Sequence, residues 1–392
     1  MAQAVTKSVW AGRVLAAAGL AALALGASAQ ERPASVPADA DVSDVATMPA
    51  TTPHRIYLLD SFGGDQARIV DGDTGKLLGG VSAAPLSNIA FAPDQSKIYV
   101  AESIWTKGNR GTRQDMVSVY DGTTLNLTQE IAIPGRVYMG VRKQNFALSA
   151  SGARGYLYNM DPSSSVIVVD LAGGKTDRTV ETPGCALVFP FGDDGFSSLC
   201  GDGSLATVTL GADGPTLTRT KPFFNAETDP VFENSPTDRK TGKTWFVSYT
   251  GLVYETALGA KPTIAKPWSI QVAGGFDAPG TSDRELAWRP GGDEPLTVHR
   301  KTGRMFVLMH AGGHWTHGEA GTEIWVLDLA KHTLIKRMKL DTPLDDILVT
   351  QDDKPVLYGV DKDKVLHVLD PETGESLRTA NLVGGLIFDP AA

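Results

Sequence analysis

The chain has 392 residues, of which 21% are charged and 42% hydrophobic, and its formal net charge at pH 7 is −9. This composition is that of an ordinary globular protein. No Lys/Arg-rich run supplies the positive surface that a nucleic acid backbone requires, so nucleic acid is excluded as an expected partner. Glycine (42 residues) and proline (23 residues) recur along the whole chain, which indicates many turns.

The first 29 residues have the pattern of a secretory signal peptide. Lys7 and Arg13 supply positive charge, residues 14–26 form an apolar run, and Ala-Ser-Ala at 27–29 is a small-residue cleavage site. The apolar run is too short to span a bilayer, which takes about 20 residues, and no later segment has the pattern of a membrane span. We therefore expect export and removal of residues 1–29, with an uncleaved anchor as the alternative.

Residues 30–53 are rich in Ala, Pro, Asp, Ser and Thr and lack hydrophobic periodicity, so we expect an extended arm there. From residue 54 to the end, short β-type runs alternate with turn residues and come in seven pairs. The first strand of each pair reads RIYLLD (55–60), KIYVAE (97–102), RGYLYNM (154–160), GFSSLC (195–200), KTWFVSY (243–249), RMFVLMH (304–310) and PVLYGV (355–360).

The second strand of each pair begins a hairpin, and five of these hairpins carry an aspartate at the turn. The five markers are Asp71, Asp121, Asp170, Asp328 and Asp370. Their separations are 50, 49, 158 and 42 residues, and the long interval contains two weaker copies. A unit of 40–50 residues with four short strands is typical of a propeller blade. The sequence therefore predicts an all-β fold, a seven-bladed β-propeller over residues 54–392, with an open β-sandwich array as its rival. Aspartate at such turns normally accepts hydrogen bonds from its own backbone, and a metal-binding role is the weaker interpretation.

Three of the seven histidines fall within eight residues, in the segment His310-Ala-Gly-Gly-His314-Trp-Thr-His317. The chain has no G-x-S-x-G, H-E-x-x-H, P-loop or dinucleotide-binding signature, so this segment is the strongest local signal of chemistry. Neutral imidazoles at this spacing bind a transition metal or act as acid–base groups. We expect a solvated or partner-facing loop between two blade strands, and a metal site is the weaker interpretation.

Cys185 and Cys200 are the only cysteines. In an oxidising compartment such a pair favours a disulfide, and two buried free thiols are the alternative. Two cysteines cannot form a Cys-only zinc site. Trp288 and Trp325 lie in blade segments, so we expect them in the core between blades, with an exposed recognition patch as the alternative.

From about Arg55 to its end, the chain resembles the heavy (α) subunit of the quinoprotein amine dehydrogenases, namely methylamine dehydrogenase and aromatic amine dehydrogenase. The segments that carry the resemblance occur in order along the chain. They are RIYLLD (55–60), RGTRQDMVSVYD (110–121), PGCALVFP with LCGDGSLATV (183–208), WRPGG (288–292), HRKTGRMFVLMH (299–310), GTEIWVLDL (321–329) and QDDKPVLYGVDKDKVLHVLDPETGESLRT (351–379).

The resemblance implies a seven-bladed propeller that is half of a periplasmic α2β2 enzyme. Its redox cofactor, tryptophan tryptophylquinone, belongs to a cysteine-rich light (β) subunit, so no catalytic residue, cofactor or metal is expected in this chain. A primary amine is oxidised to aldehyde and ammonia, and the electrons pass to a blue copper protein, amicyanin or azurin. The family's heavy-chain disulfide matches Cys185–Cys200, and residues 31–53 match an N-terminal extension that reaches over a neighbouring subunit.

One position departs from the family pattern. In the family, the loop after the first hairpin presents a phenylalanine at the mouth of the substrate channel, and the ungapped match places Pro85 there, followed by Leu86. This departure puts the preference for methylamine or arylalkylamines in doubt. It also leaves open a periplasmic propeller that acts only as a scaffold or binding protein without a light chain. A third and less favoured function is that of a propeller hydrolase such as a lactonase, with a metal in its central channel.

Overall fold

The computed structural model describes residues 47–59, 66–108, 110–136, 140–160, 162–381 and 385–388. All of them belong to the larger of two compact units, residues 46–392. The predicted signal peptide, and the predicted arm up to residue 46, lie outside the described residues. Within the described ranges, no helix is both long enough and apolar enough to cross a membrane.

The first four blades follow one another along the chain. Blade 1 begins with β1 (Arg55–Leu59), β2 (Gln66–Asp71) and β3 (Lys76–Ser82). Blade 2 comprises β4 (Asn88–Phe91), β5 (Lys97–Trp105), β6 (Arg113–Asp121) and β7 (Leu127–Ala132). Blade 3 comprises β8 (Phe146–Leu148), β9 (Arg154–Asn159), β10 (Ser165–Asp170) and β11 (Lys175–Glu181). Blade 4 comprises β12 (Cys185–Phe191), β13 (Gly195–Cys200), β14 (Leu205–Gly211) and β15 (Gly214–Arg219).

The remaining blades complete the ring. Blade 5 comprises β16 (Thr237–Asp238), β17 (Lys243–Val247), β18 (Leu252–Ala257), β19 (Thr263–Ile264) and β20 (Trp268–Ser269). Blade 6 comprises β21 (Ala287–Pro290), β22 (Leu296–His299), β23 (Arg304–Gly312), β24 (Gly321–Asp328) and β25 (Thr333–Leu344). Blade 7 comprises β26 (Asp346–Val349), β27 (Leu357–Val360), β28 (Val365–Leu369) and β29 (Ser376–Asn381), and the chain returns in β30 (Leu386–Phe388). The short helix α1 (Ile270–Ala273) follows β20, and a 3₁₀ turn (Lys143–Asn145) precedes β8.

The ring is closed by pairing the two ends of the described chain. β30 joins the first sheet as its innermost strand, in the order β3-β2-β1-β30, and Phe388 lies opposite Tyr57 in an antiparallel register. The seven sheets confirm the predicted seven-bladed propeller, and the open-sandwich alternative is wrong. Closure leaves no blade with an uncovered neighbour-facing surface.

Each pair of neighbouring blades encloses one apolar cluster, which accounts for seven clusters around the ring. The middle strands supply the clusters because both of their faces are covered: in β10, Val166 to Val169 are all buried. Trp325 is completely buried between blades 5 and 6, and Trp288 is half-buried against it. The core position predicted for these two tryptophans is therefore confirmed.

The aspartates at the hairpin turns organise the outer edge of the blades. Asp121 Oδ1 accepts the backbone N–H groups of Thr123 at 2.9 Å and Thr124 at 2.7 Å, and these bonds lower the pKa of Asp121. Equivalent bonds to the following backbone are made by Asp71, Asp170, Asp328 and Asp370. A β-bulge precedes the turn in each of these five blades. The predicted structural role of these aspartates is confirmed.

Cys185 and Cys200 form a disulfide, so the alternative of two free thiols is wrong. The two residues are directly opposite each other in the β12–β13 pair. The crosslink is therefore internal to blade 4 and does not join two blades. Both cysteines are buried beside Ala206 of β14.

Removing this crosslink should destabilise the protein. The bridge joins residues 15 positions apart, and closure of a loop of that size contributes about 3 kcal/mol to stability. We expect the Cys185→Ala/Cys200→Ala variant to lose about that free energy of unfolding in urea denaturation. Wild-type protein measured with reductant is the control, because it lacks the crosslink without any change of side chain. A variant as stable as the oxidised wild type would contradict the assignment.

Candidate functional site

The innermost strands run in the same direction along the propeller axis, so their first residues lie on one face of the ring. Two contacts between blades establish this. Glu294, just before β22, makes a parallel bridge with Asp346 at the start of β26. Asn145, just before β8, donates its side-chain amide to Asn88 Oδ1 at the start of β4, at 3.3 Å. The turn at Pro85–Leu86 leads into β4 on this face, which we call the Pro85 face.

The Pro85–Leu86 segment is a tight reverse turn. The Ser87 N–H donates to the Ala84 carbonyl at 3.1 Å, and Leu86 adopts a left-handed φ of 65°. That conformation costs a residue with a β-carbon roughly 1 kcal/mol, so the turn depends on external support. The buried carboxylate of Glu102 supplies it by accepting the Ala84 N–H at 2.8 Å. The turn thus holds Pro85 exposed and Leu86 half-buried.

The three clustered histidines lie on the Pro85 face but have separate partners. His310 lies near the end of β23, in agreement with the predicted strand 304–310, and its Nε2 is 2.7 Å from the Thr316 hydroxyl. His314 is buried and hydrogen-bonds a backbone carbonyl of the segment before β16. His317 stacks on Tyr249 with ring centroids 3.9 Å apart.

These rings do not converge on a common point. Among the residues that the structure describes, no group of three or more His, Cys, Asp or Glu side chains is arranged to hold a metal ion. Burial lowers the pKa of His310 and of His317, so both rings are neutral at pH 7. The geometry therefore favours the expected solvated or partner-facing loop over the metal interpretation of this segment.

An aromatic patch surrounds this loop on the Pro85 face. It consists of Phe232, Tyr249, Trp315 and His317. Tyr249 is central, with ring centroids 4.8 Å from Phe232 and 6.3 Å from Trp315. Trp315 is 48% exposed, a large value for the largest apolar side chain. An ion pair between Arg142 and Glu233, both about half-exposed, lies beside the patch.

A buried charged cluster lies at the start of the innermost strands. Lys143 pairs with Glu294 and lies 5.5 Å over the ring of Phe388, while Asp346 accepts the Ile387 N–H at 2.8 Å. Glu294 and Asp346 are 2% and 0% exposed. Burial raises the pKa of both carboxyls, and the positive charge of Lys143 opposes the shift. Asp346 thus joins blade 7 to the strand that closes the ring.

Sequence reasoning missed this cluster, as well as the supporting role of Glu102. A signal was present, since Glu294 and Asp346 each lie one or two residues from a short apolar run that forms an innermost strand. The same reasoning identified the Pro85 turn and the histidine loop. The structure places these two segments on one face of the ring, together with the Cys185–Cys200 disulfide at the start of β12.

The fold and the site define a class: a seven-bladed β-propeller with a supported exposed turn, an aromatic patch and a buried charged cluster on one face. Comparison with known proteins identifies the family. The family model described as methylamine dehydrogenase heavy chain (MADH) matches residues 53–386. The chain belongs to the methylamine dehydrogenase heavy chain family.

Individual relatives match over most of their length. The chain is 31% identical to the methylamine dehydrogenase heavy chain of Methylorubrum extorquens, covering 94% of this chain and 93% of that one. It is 30% identical to that of Paracoccus versutus, covering 88% and 81%.

Two solved structures share the fold at low sequence identity. One is the dihydro-heme d1 dehydrogenase NirN in complex with DHE, with a TM-score of 0.54 and 14% identity, covering 87% of this chain and 76% of that one. The other is the β-propeller domain of Cps50 (Swd1) from Myceliophteria thermophila, with a TM-score of 0.50 and 8% identity, covering 81% and 95%. At these identities the likeness shows the fold alone.

Two replacements of Asp346 should distinguish the effect of its charge on stability from the effect of its hydrogen bond. Its raised pKa means that the folded state binds the proton more tightly than the unfolded state, so its ionisation costs stability as the pH rises above about 4. We expect Asp346→Asn to keep the bond to Ile387 and to become more stable relative to wild type between pH 5 and pH 8 in urea denaturation. Asp346→Ala should be less stable than Asp346→Asn by about 1–3 kcal/mol, because the buried N–H loses its acceptor. A stability difference between the Asp346→Asn variant and the wild type that does not change with pH would contradict the assigned shift.

Proposed function

We propose that this chain is the heavy subunit of a periplasmic amine dehydrogenase. The enzyme oxidises a primary amine to aldehyde and ammonia with a tryptophan tryptophylquinone held in a separate light subunit, and it passes the electrons to a blue copper protein. The observation that carries the proposal is the family match over residues 53–386, with relatives aligned over nearly their full length.

The packing of this chain's own tryptophans supports a quinone in another subunit. Trp288 and Trp325 lie close together, with ring centroids 5.7 Å apart. Trp325 is completely buried, and the Arg337 guanidinium lies 4.6 Å from the ring of Trp288 and 4.9 Å from that of Trp325. Glu323 fixes that guanidinium through two hydrogen bonds of 2.7 and 2.8 Å. Trp325 is shielded from any substrate amine, and Trp288 packs against it, so this indole pair serves the core between blades.

The Pro85 face is the surface we assign to the light subunit. The resemblance places the Pro85 turn where the family presents a residue to the substrate channel, and we therefore assign the subunit that holds the quinone to this face. The aromatic patch has the composition of an interface centre, where tryptophan and tyrosine contribute most of the binding energy. The nearby Arg142–Glu233 pair fits the polar rim of such an interface.

Pro85 sets the shape of the channel entrance in this proposal. Its pyrrolidine ring is smaller and stiffer than a phenylalanine side chain, and the bond from Ala84 to Glu102 fixes the turn that carries it. The entrance is therefore wider than one closed by an aromatic ring. The preferred amine, methylamine or an arylalkylamine, depends on this difference.

Co-purification tests the proposed function directly. We expect the native protein to be isolated with a small cysteine-rich chain that absorbs visible light as a quinone, and the complex to reduce a blue copper protein when a primary amine is added. The heavy chain separated from that partner should have neither the chromophore nor the activity. Amine oxidation by the separated chain would contradict the proposal. A native protein without a light chain would favour the alternative of a non-catalytic scaffold.

Placing a charge on the aromatic patch should disrupt the assembly. We expect Trp315→Glu to weaken light-subunit binding by at least about 30-fold, because loss of a central interface tryptophan commonly costs about 2 kcal/mol or more and the new carboxylate has no partner. Leu377→Glu is the matched control, since Leu377 is 60% exposed on an outermost strand of blade 7. Binding is measured by surface plasmon resonance, with thermal unfolding as a check on the fold. If the two variants bound the light subunit with equal affinity, the aromatic patch would not be part of the interface.

A further inference from the structure

The innermost strands of the propeller surround a cavity of about 180 Å³ on its axis. Its walls are largely aromatic and aliphatic, including Phe91, Phe146, Phe189, Leu296 and Leu348. For comparison, an engineered apolar cavity of about 150 Å³ in another protein admits benzene. The cavity therefore has room for a compound of one ring or of a short alkyl chain.

The charged side chains on the wall of the cavity are all positive. Lys143 lies where an innermost strand begins, while Arg239 and Arg300 follow β16 and β22 at the opposite end. None of the described residues that line the cavity is acidic, in a chain whose net charge is −9. The carboxylate of Asp238, which is not part of the cavity wall, interacts electrostatically with Arg300. Guanidinium groups present N–H donors in the planar arrangement that fits a carboxylate, and apolar walls strengthen such an interaction.

Two buried polar atoms belong to residues of the same wall. Trp245 and Asn234 are 4% and 7% exposed, and neither Trp245 Nε1 nor Asn234 Oδ1 has a hydrogen-bond partner among the described residues. Buried polar atoms are nearly always paired in folded proteins. Both atoms are shielded from the cavity as well as from bulk solvent, so the ligand is recognised by the volume of the cavity and the positive charge of its wall.

We propose that the central cavity binds a small carboxylate with an apolar body, such as an arylcarboxylate. The carboxylate lies towards Arg239 and Arg300, and the body packs among the phenylalanine rings. The arginine end of this site lies away from the Pro85 face, and the proposal does not depend on a light subunit or on amine oxidation.

Isothermal titration of the purified full chain with benzoate tests the proposal. We expect saturable binding of one benzoate per chain, weakened at least tenfold by Arg300→Gln and also weakened by Arg239→Gln. Lys301→Gln is the matched control, because Lys301 is exposed, pairs with Asp353 and lies outside the cavity wall. It should bind benzoate as the wild type does. Thermal unfolding of each variant checks that it is folded.

Neutral and inorganic probes define the ligand class. We expect benzamide, which lacks the negative charge, and phosphate, which lacks the apolar body, to bind at least tenfold more weakly than benzoate. Absence of saturable benzoate binding would overturn the proposal. So would equal binding of benzamide, equal binding of phosphate, or an affinity that both arginine replacements leave unchanged. Because the titration uses no amine and no copper protein, its result is independent of the proposed dehydrogenase function.

Discussion

Closure of the blade ring is the constraint on which the rest of this structure depends. A four-stranded blade has two apolar faces and can cover neither by itself, so each blade is stable only between two neighbours. The seven apolar clusters are the result. The last interface forms when β30 pairs with β1, which brings Phe388 opposite Tyr57 across a separation of more than 300 residues. Asp346 reinforces this closure by accepting the Ile387 N–H.

The closed ring also determines where the candidate functional groups lie. Since all innermost strands run in one direction, the segments that precede them gather on the Pro85 face, and the side chains between them line the axis. The histidine loop, the aromatic patch and the Pro85 turn share that face although they are far apart in sequence. The arginines lie towards the other end of the cavity because they follow the same strands. The common direction of the innermost strands thus places the proposed protein-binding surface at one face and the arginines of the proposed ligand cavity towards the other.

The repeating features of the sequence predicted the fold. Contacts that form only when the blades close into a ring could not be predicted from the sequence. The spacing of Asp71, Asp121 and Asp170 indicated blades because those aspartates act locally, on the turns that follow them. The cysteine pair also acts within one blade. By contrast, the Lys143–Glu294 pair joins blades 3 and 6, and no periodicity relates such residues. The three histidines are close together in sequence, but in the structure each ring has a different partner, which their spacing alone could not predict.

In the proposed enzyme, this propeller is a platform whose Pro85 face holds a separate redox subunit. Hydrogen–deuterium exchange of the heavy chain with and without its light subunit tests that claim most directly. We expect slower exchange in residues 83–88 and 313–320 on binding, with no change in the turns at 72–75 and 371–374 on the opposite face. Protection confined to those opposite turns, or no protection anywhere, would contradict the account.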